Sequence, residues 1–273
     1  MALETPPATQ ERDHTRAALA ELLLALADDE FVTGYANSEW TGIAPILEED
    51  IAFSSLAQDE LGHARLFYEL LAELRGGAVS PDEIAYDRPP EGFRNAQLAE
   101  RPRGDWAYSV SRQFLYDTAD YVRLECLLGS RYTPLAQAAA SVIREERYHL
   151  LHAHTWLARL AAGDTARERQ HAAFTALWPD ALGLFEPLPG EAALVESGIQ
   201  PAPSAALCQR WLEQIEPMLR QLGLPWPFAQ RAAGWEPLLA PHYGGRAGRH
   251  SREFAQLYDT ITSVRRLEPG AQW

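Results

Sequence analysis

The sequence predicts an all-α fold organised as a four-helix bundle with further helices after it. Three observations predict it. Long stretches rich in Ala, Leu and Glu carry apolar residues at three- and four-residue steps, two short turns each join a pair of such stretches, and one long proline-rich connection joins the pairs.

The first helix is expected from Thr15 to about Ser38, after a frayed start over residues 1–14, with Leu19, Leu22, Leu23 and Leu26 on one face. Continuing that face by four residues reaches Glu30. Trp40-Thr41-Gly42 ends this helix, and Pro45 opens the next after a short link, so the two are antiparallel neighbours. The second helix runs to Arg75-Gly76-Gly77, a glycine stop. Ala78 to Gly104 holds Pro81, Pro89, Pro90 and Pro102 among acids and is read as a long surface crossover. A third helix spans Asp105 to Leu128, and Gly129 to Pro134 turns into a fourth that reaches Ala162-Gly163. Beyond it, helices are expected over Thr165 to Phe185, Glu191 to Gly198, Pro203 to Leu222 (capped by Ser204) and Ser251 to Leu267 (capped by Ser251). Pro225 to Gly248 is read as loop. The expected division is one domain over 15–273, with 15–163 as the core and 164–273 as added helices and a partner-docking loop.

The 273 residues, 47% of them hydrophobic, are enough to bury a substantial core. No apolar run approaches the roughly 18 residues of a membrane helix, and the N-terminus lacks the form of a signal peptide, so a cytoplasmic protein with no membrane partner is expected. Cys126 and Cys208 have no metal-site or disulfide spacing and are read as free thiols. A formal charge of −14 without a basic run excludes nucleic acid as a partner.

Chemistry enters with the stretch Ala52 to Tyr68, where Leu56, Glu60, His63 and Phe67 share one stripe of a helix. A carboxylate and an imidazole on an apolar face cost several kcal/mol unless something pairs with them, and a metal ion would. Glu-x-x-His places both side chains one turn apart, but the chain holds four such pairs, so context must choose. Glu11/His14 and Glu168/His171 lie at polar helix starts and read as solvated. Glu60/His63 and Glu146/His149 lie mid-helix among Leu56, Phe67, Val142 and Ala153, in matching helices of the two hairpins. Counting from each turn puts Asp117 at about the depth of Glu146, and Glu30 at about that of Glu60. One acid from each of two helices and Glu-x-x-His from each of the others make the ligand set of a carboxylate-bridged two-metal site in a ferritin-like bundle. Such oxygen and imidazole ligands suit two iron ions, or manganese. Asp59 is assigned to the outer nitrogen of His149 and Glu145 to that of His63, each fixing an imidazole tautomer. His152 and His154 are read as core or interface histidines, and Trp40, Trp106, Trp156 and Trp178 as packing residues.

At these residues the sequence resembles the ferritin-like subunits of phenylacetyl-CoA epoxidase, a multicomponent bacterial oxygenase. The resemblance is carried by Glu39-Trp40, Ala44-Pro45, Gly62-His63-Ala64-Arg65, Arg112-Gln113-Phe114, Asp117, Glu145 to His149, Trp156-Leu157 and Pro269 to Trp273. The ending, Arg147-Tyr148-His149 and the loop Gly244 to His250 are most similar to the C-type subunit, usually regarded as structural. That subunit typically lacks most iron ligands, whereas this chain keeps Glu30, Glu60, His63, Asp117, Glu146 and His149. The resemblance implies a ring-epoxidising component in aerobic phenylacetate degradation, with electrons from a separate reductase and with an A-type ferritin-like partner. It also implies an aromatic acyl-CoA substrate, and a homodimer stays open. The alternative is a non-catalytic scaffold that docks the A-type partner, with Trp226, Trp235, His242, Tyr243, Arg246, Arg249 and Trp273 as candidate docking residues. An iron-storage role fits less well, because storage bundles lack a C-terminal third such as Glu191 to Trp273.

Overall fold

Four long helices form the bundle in the computed structural model, which describes residues 7–269. They are α1 (Pro7–Ser38), α2 (Leu47–Leu74), α4 (Trp106–Leu127) and α5 (Thr133–Ala161). Helix α1 starts at Pro7, ahead of the Thr15 start read from the sequence. The expectation for residues 1–6 and the final Trp273 lie outside the described residues. Helix α2 stops as its glycines dictate: Gly76 and Gly77 take φ of 87° and 72°, and the Gly77 N–H donates to the Ala72 carbonyl at 2.9 Å. Helix α4 starts on Asp105, whose carboxylate accepts the Tyr108 N–H at 2.9 Å.

Each hairpin packs closely along its own length, α1 on α2 and α4 on α5, whereas α2 and α5 meet more loosely. Leu19, Leu22, Leu23 and Leu26 are buried as the periodicity requires, and each such side chain contributes about 1.5–3 kcal/mol. Gly34 lets α1 and α2 approach beside the acids: a Cβ there would meet Leu61 Cγ at 3.0 Å and Glu60 Cβ at 3.1 Å. Helix α4 is the most enclosed, with α5 on one side and α6 (Asp164–Gly183) and α8 (Ser204–Gln221) on another.

The connection between the hairpins differs from the surface crossover expected. It carries α3 (Pro81–Tyr86) and two single 3₁₀ turns, Pro90–Gly92 and Gln97–Glu100, and Phe93, Asn95, Ala96 and Leu98 in it are buried. Several of its polar residues are drawn inward by pairing. Arg88 binds Asp28, Arg94 binds Glu21, and Glu100 accepts from Ser251 N and faces His250 Nδ1.

Past the bundle, α7 (Glu191–Glu196), α8 and α9 (Arg252–Leu267) fall where expected, but neither serine caps its helix. The Ser204 N–H donates to Glu191 Oε1 at 2.9 Å, and the Ser251 N–H to Glu100 Oε2 at 2.6 Å, so distant carboxylates do the capping. The region read as loop contains a hairpin, β1 (Phe228–Arg231) antiparallel to β2 (Gly234–Pro237), seated on Trp178 through Phe228. Trp40, Trp106 and Trp156 stack edge-on along one end of the bundle, and both cysteines are free. No helix among the described residues is long and apolar enough to cross a membrane.

Candidate metal centre

Glu30 comes from α1, Glu60 and His63 from α2, Asp117 from α4, and Glu146 and His149 from α5. All six are buried, none more than 3% exposed. Their ligand atoms fall into two adjoining groups, Glu30, Glu60, His63 and Glu146 in one and Glu60, Asp117 and His149 in the other. Within each group the atoms lie no more than 4.8 Å apart. Glu60 belongs to both. Glu146 also spans the pair, with its Oε1 3.4 Å from His63 Nδ1 and 3.0 Å from His149 Nδ1. Two imidazoles 6.0 Å apart thus flank a cluster of four carboxylates.

Each ring presents Nδ1 inward and Nε2 outward. His63 Nε2 lies 2.9 Å from Glu145 Oε2, and His149 Nε2 lies 3.4 Å from Asp59 Oδ2. A proton held on Nε2 by these acids leaves the Nδ1 lone pair facing the cluster, the tautomer a metal needs. The orphaned atoms are on the inner side. Both oxygens of Glu30, Glu60 and Glu146, Asp117 Oδ2, His63 Nδ1 and His149 Nδ1 are buried with no hydrogen-bond partner. Buried polar atoms are normally paired, and a group of this size without donors is what bound cations would satisfy.

The electrostatics agree. Burial, then the neighbouring Glu30 and Glu146, push the Glu60 carboxyl well above its ordinary value, and burial with Glu146 does the same to Asp117. Burial alone would lower His63, but Glu30, Glu146 and Glu145 outweigh it and raise the imidazole to about 9. Without a cation, then, Glu60, Asp117 and His63 hold their protons more tightly than free groups do. Divalent ions would displace them, and a mixed carboxylate and imidazole set fits iron or manganese.

The other two Glu-x-x-His pairs, Glu11/His14 and Glu168/His171, are exposed. His152 lies outside the cluster, with Nε2 2.7 Å from Glu49 Oε2 and its ring edge-on to Phe53. His154 stacks near Phe114. The proposed docking set is divided: Trp226 packs among Trp178, Phe228 and Trp235, and Arg246 is buried on Asp29. His242, Tyr243 and Arg249 stay at the surface.

Several residues around the cluster escaped the sequence reading. Gln113 donates to Asp117 Oδ1 at 2.5 Å and accepts from Asn37 at 2.8 Å, which fixes the Asp117 carboxylate. Its spacing one turn before Asp117 was the available signal. Asp28, Asp29 and Asp120 are also buried. Burial and then Glu30 push Asp120 up to about 8.

Comparison with known proteins agrees with this architecture. The chain is 32% identical over 256 residues to the C-type subunit of 1,2-phenylacetyl-CoA epoxidase from Escherichia coli (strain K12), covering 93% of this chain and 99% of that protein. It is 26% identical over 221 residues to the A-type subunit of the same enzyme, covering 79% of this chain and 70% of that one. Residues 1–273 match the family model described as phenylacetic acid catabolic protein. The chain is therefore a ferritin-like helical member of the phenylacetic acid catabolic protein family.

Proposed function

We propose that this chain is a C-type component of a multicomponent oxygenase acting on phenylacetyl-CoA, and that it retains a two-iron centre. The observation that carries this reading is the set of unpartnered donor atoms from Glu30, Glu60, His63, Asp117, Glu146 and His149, buried and brought within reach of one another. When bound, the iron pair would supply dioxygen activation for ring epoxidation, with electrons from a separate reductase. The protein's part is to hold that pair. Glu30, Glu60, His63, Asp117, Glu146 and His149 would hold it, and Asp59 and Glu145 keep the imidazoles in the inward-facing tautomer. Phe53, Phe67 and Phe114, fully buried on the same helices as the candidate ligands, add to the apolar interior that excludes bulk water.

The partner reading follows from the outward sides of α2 and α5. Leu47 and Ile51 on α2, with Tyr148 and Leu151 on α5, are exposed, and the Glu49–His152 contact joins the two stripes. Gly62 lies on the same side of α2, where a Cβ would touch nothing within 4 Å, so packing inside this chain does not require a glycine. An A-type partner is the occupant this face suits, because the chain is similar to both the A-type and the C-type components of one enzyme.

A second reading, a structural subunit, rests on one observation. The cavity next to the centre, lined by Thr33, Leu98, Ala99, Arg112, Gln113 and Tyr116, measures about 10 Å³. That is room for a water molecule, and an aromatic ring would need Leu98 and Ala99 to move. Metal analysis of protein from iron-supplemented cells separates the first reading from an empty bundle. Turnover of the complex with an A-type partner that survives Glu146→Ala would assign catalysis to the partner.

A further inference from the structure

Three consecutive residues of α1, Asp28, Asp29 and Glu30, are all fully buried, and each goes to a different place. Asp28 is taken by Arg88 and by the Tyr68 hydroxyl, which donates to it at 2.5 Å. Asp29 is taken by Arg123 of α4 at 2.7 Å, by the Ala96 N–H at 2.8 Å, and by Arg246 from the C-terminal third. Glu30 faces the centre with no arginine on it. Successive residues of a helix point about 100° apart, so the rotation of α1 about its axis decides which acid enters the cluster.

Arg246 reads that rotation from the far end of the chain. Its guanidinium is 3% exposed and grips Asp29 with both arms, Nη1 to Oδ1 at 2.8 Å and Nη2 to Oδ2 at 2.7 Å. It also donates to the carbonyls of Arg94 and Leu184. The turn that carries it is itself pinned. Gly244 N–H donates to Glu186 Oε2 at 2.7 Å, and a Cβ on Gly245 would lie 2.2 Å from the Asn95 carbonyl oxygen. Arg246 thus joins α1, the crossover and the end of α6 at a point one residue from Glu30.

We propose that Arg246 is a positioning residue for the metal centre: acting through Asp29, it holds α1 in the rotation that presents Glu30 and withholds its two neighbours. The C-terminal third then contributes to holding metal without supplying a ligand. This rests on the reading that Glu30 is a ligand.

The test uses the full chain and cobalt(II) as a spectroscopic probe. Arg246→Met is expected to weaken cobalt binding by at least about tenfold and to alter its visible spectrum, with helicity retained. Arg246→Lys, which keeps the charge but not the two-armed grip, should fall between. Asp29→Asn with Arg246→Met removes the pair whole, leaves Arg123 on Asp120, and should bind cobalt no better than Arg246→Met alone. Wild-type affinity and spectrum in Arg246→Met or Arg246→Lys would overturn the proposal. Hydrogen exchange at the amides of 28–31 supplies a readout independent of metal. Exchange there should rise in the Arg246 variants relative to the rest of α1, and unchanged exchange would overturn the proposal as well. A parent protein that takes up no cobalt or iron would instead sink the metal reading itself.

Discussion

His63 and Glu145 meet across the gap between α2 and α5, Nε2 to Oε2 at 2.9 Å, while the other nitrogen of the ring faces Glu146 at 3.4 Å. Glu145 therefore acts on the centre through the ring it orients. Glu145→Ala is expected to weaken metal binding by about 10- to 100-fold. Asp59→Ala should cost less, because its contact with His149 is longer, 3.4 Å. Cobalt(II) or iron(II) titration measures both, and affinities equal to the parent would contradict the assignment.

The raised pKa of Glu60 yields a prediction that separates metal binding from folding. Burial and the adjacent acids hold its carboxyl well above the ordinary value, which favours the neutral acid in the metal-free protein, and Glu60→Gln mimics that acid. The metal-free variant should melt within about 1 kcal/mol of the metal-free parent and should gain no stability from added metal. Glu60→Ala should likewise lose metal and keep its helix, since alanine favours helix. Loss of helicity with metal retained would refute this.

Gly34 sits where α1 and α2 come closest. Gly34→Ala improves helix propensity by about 1 kcal/mol but drives a methyl to within 3.0–3.1 Å of Leu61, Ala57 and Glu60. A net loss of about 1–3 kcal/mol is expected in urea unfolding, with reduced metal content. A stabilised variant would show that the helices part freely there.

Asp29 carries an acid-sensitive part of the stability. Burial raises its pKa, but Arg246 and Arg123 outweigh it and hold it below the ordinary value of 3.8. A depressed folded-state pKa contributes stability that is present above the ordinary value and lost as pH falls through the folded one. Asp29→Asn leaves two buried arginines short of a partner and should cost about 3–5 kcal/mol at neutral pH. The variant's stability should then fall less on acidification. An acid limb as steep as the parent's would contradict this.

Gly62 tests the partner face without touching the core. A side chain has open space there, so Gly62→Arg should fold, with stability up to about 1 kcal/mol above the parent's, and fail to co-purify with an A-type partner. Normal co-purification would move the interface elsewhere.

The bundle and its six inward-facing polar residues could be read from local pattern, because helical period, turn glycines and depth from a turn are all short-range signals. Glu60/His63 and Glu146/His149 stand out since their neighbours are apolar, and the same test sets aside Glu11/His14, which is exposed. What escaped depends on residues far apart in the chain. Arg246 and Asp29 are 217 positions apart, and nothing near either one announces the other. The crossover reads as solvated from its prolines and acids, yet Asp28 and Glu21 of α1 and the distant His250 pair with its Arg88, Arg94 and Glu100 and draw it inward. The hairpin of β1 and β2 is four residues to a strand, too short for alternation to register among prolines and glycines.

Anomalous scattering at the iron edge, from crystals of protein made in iron-supplemented cells, tests the central claim most directly. Two peaks are predicted, one among Glu30, Glu60, His63 and Glu146 and the other among Glu60, Asp117 and His149. No peak at either place in such crystals, with the six side chains meeting only one another, would contradict it.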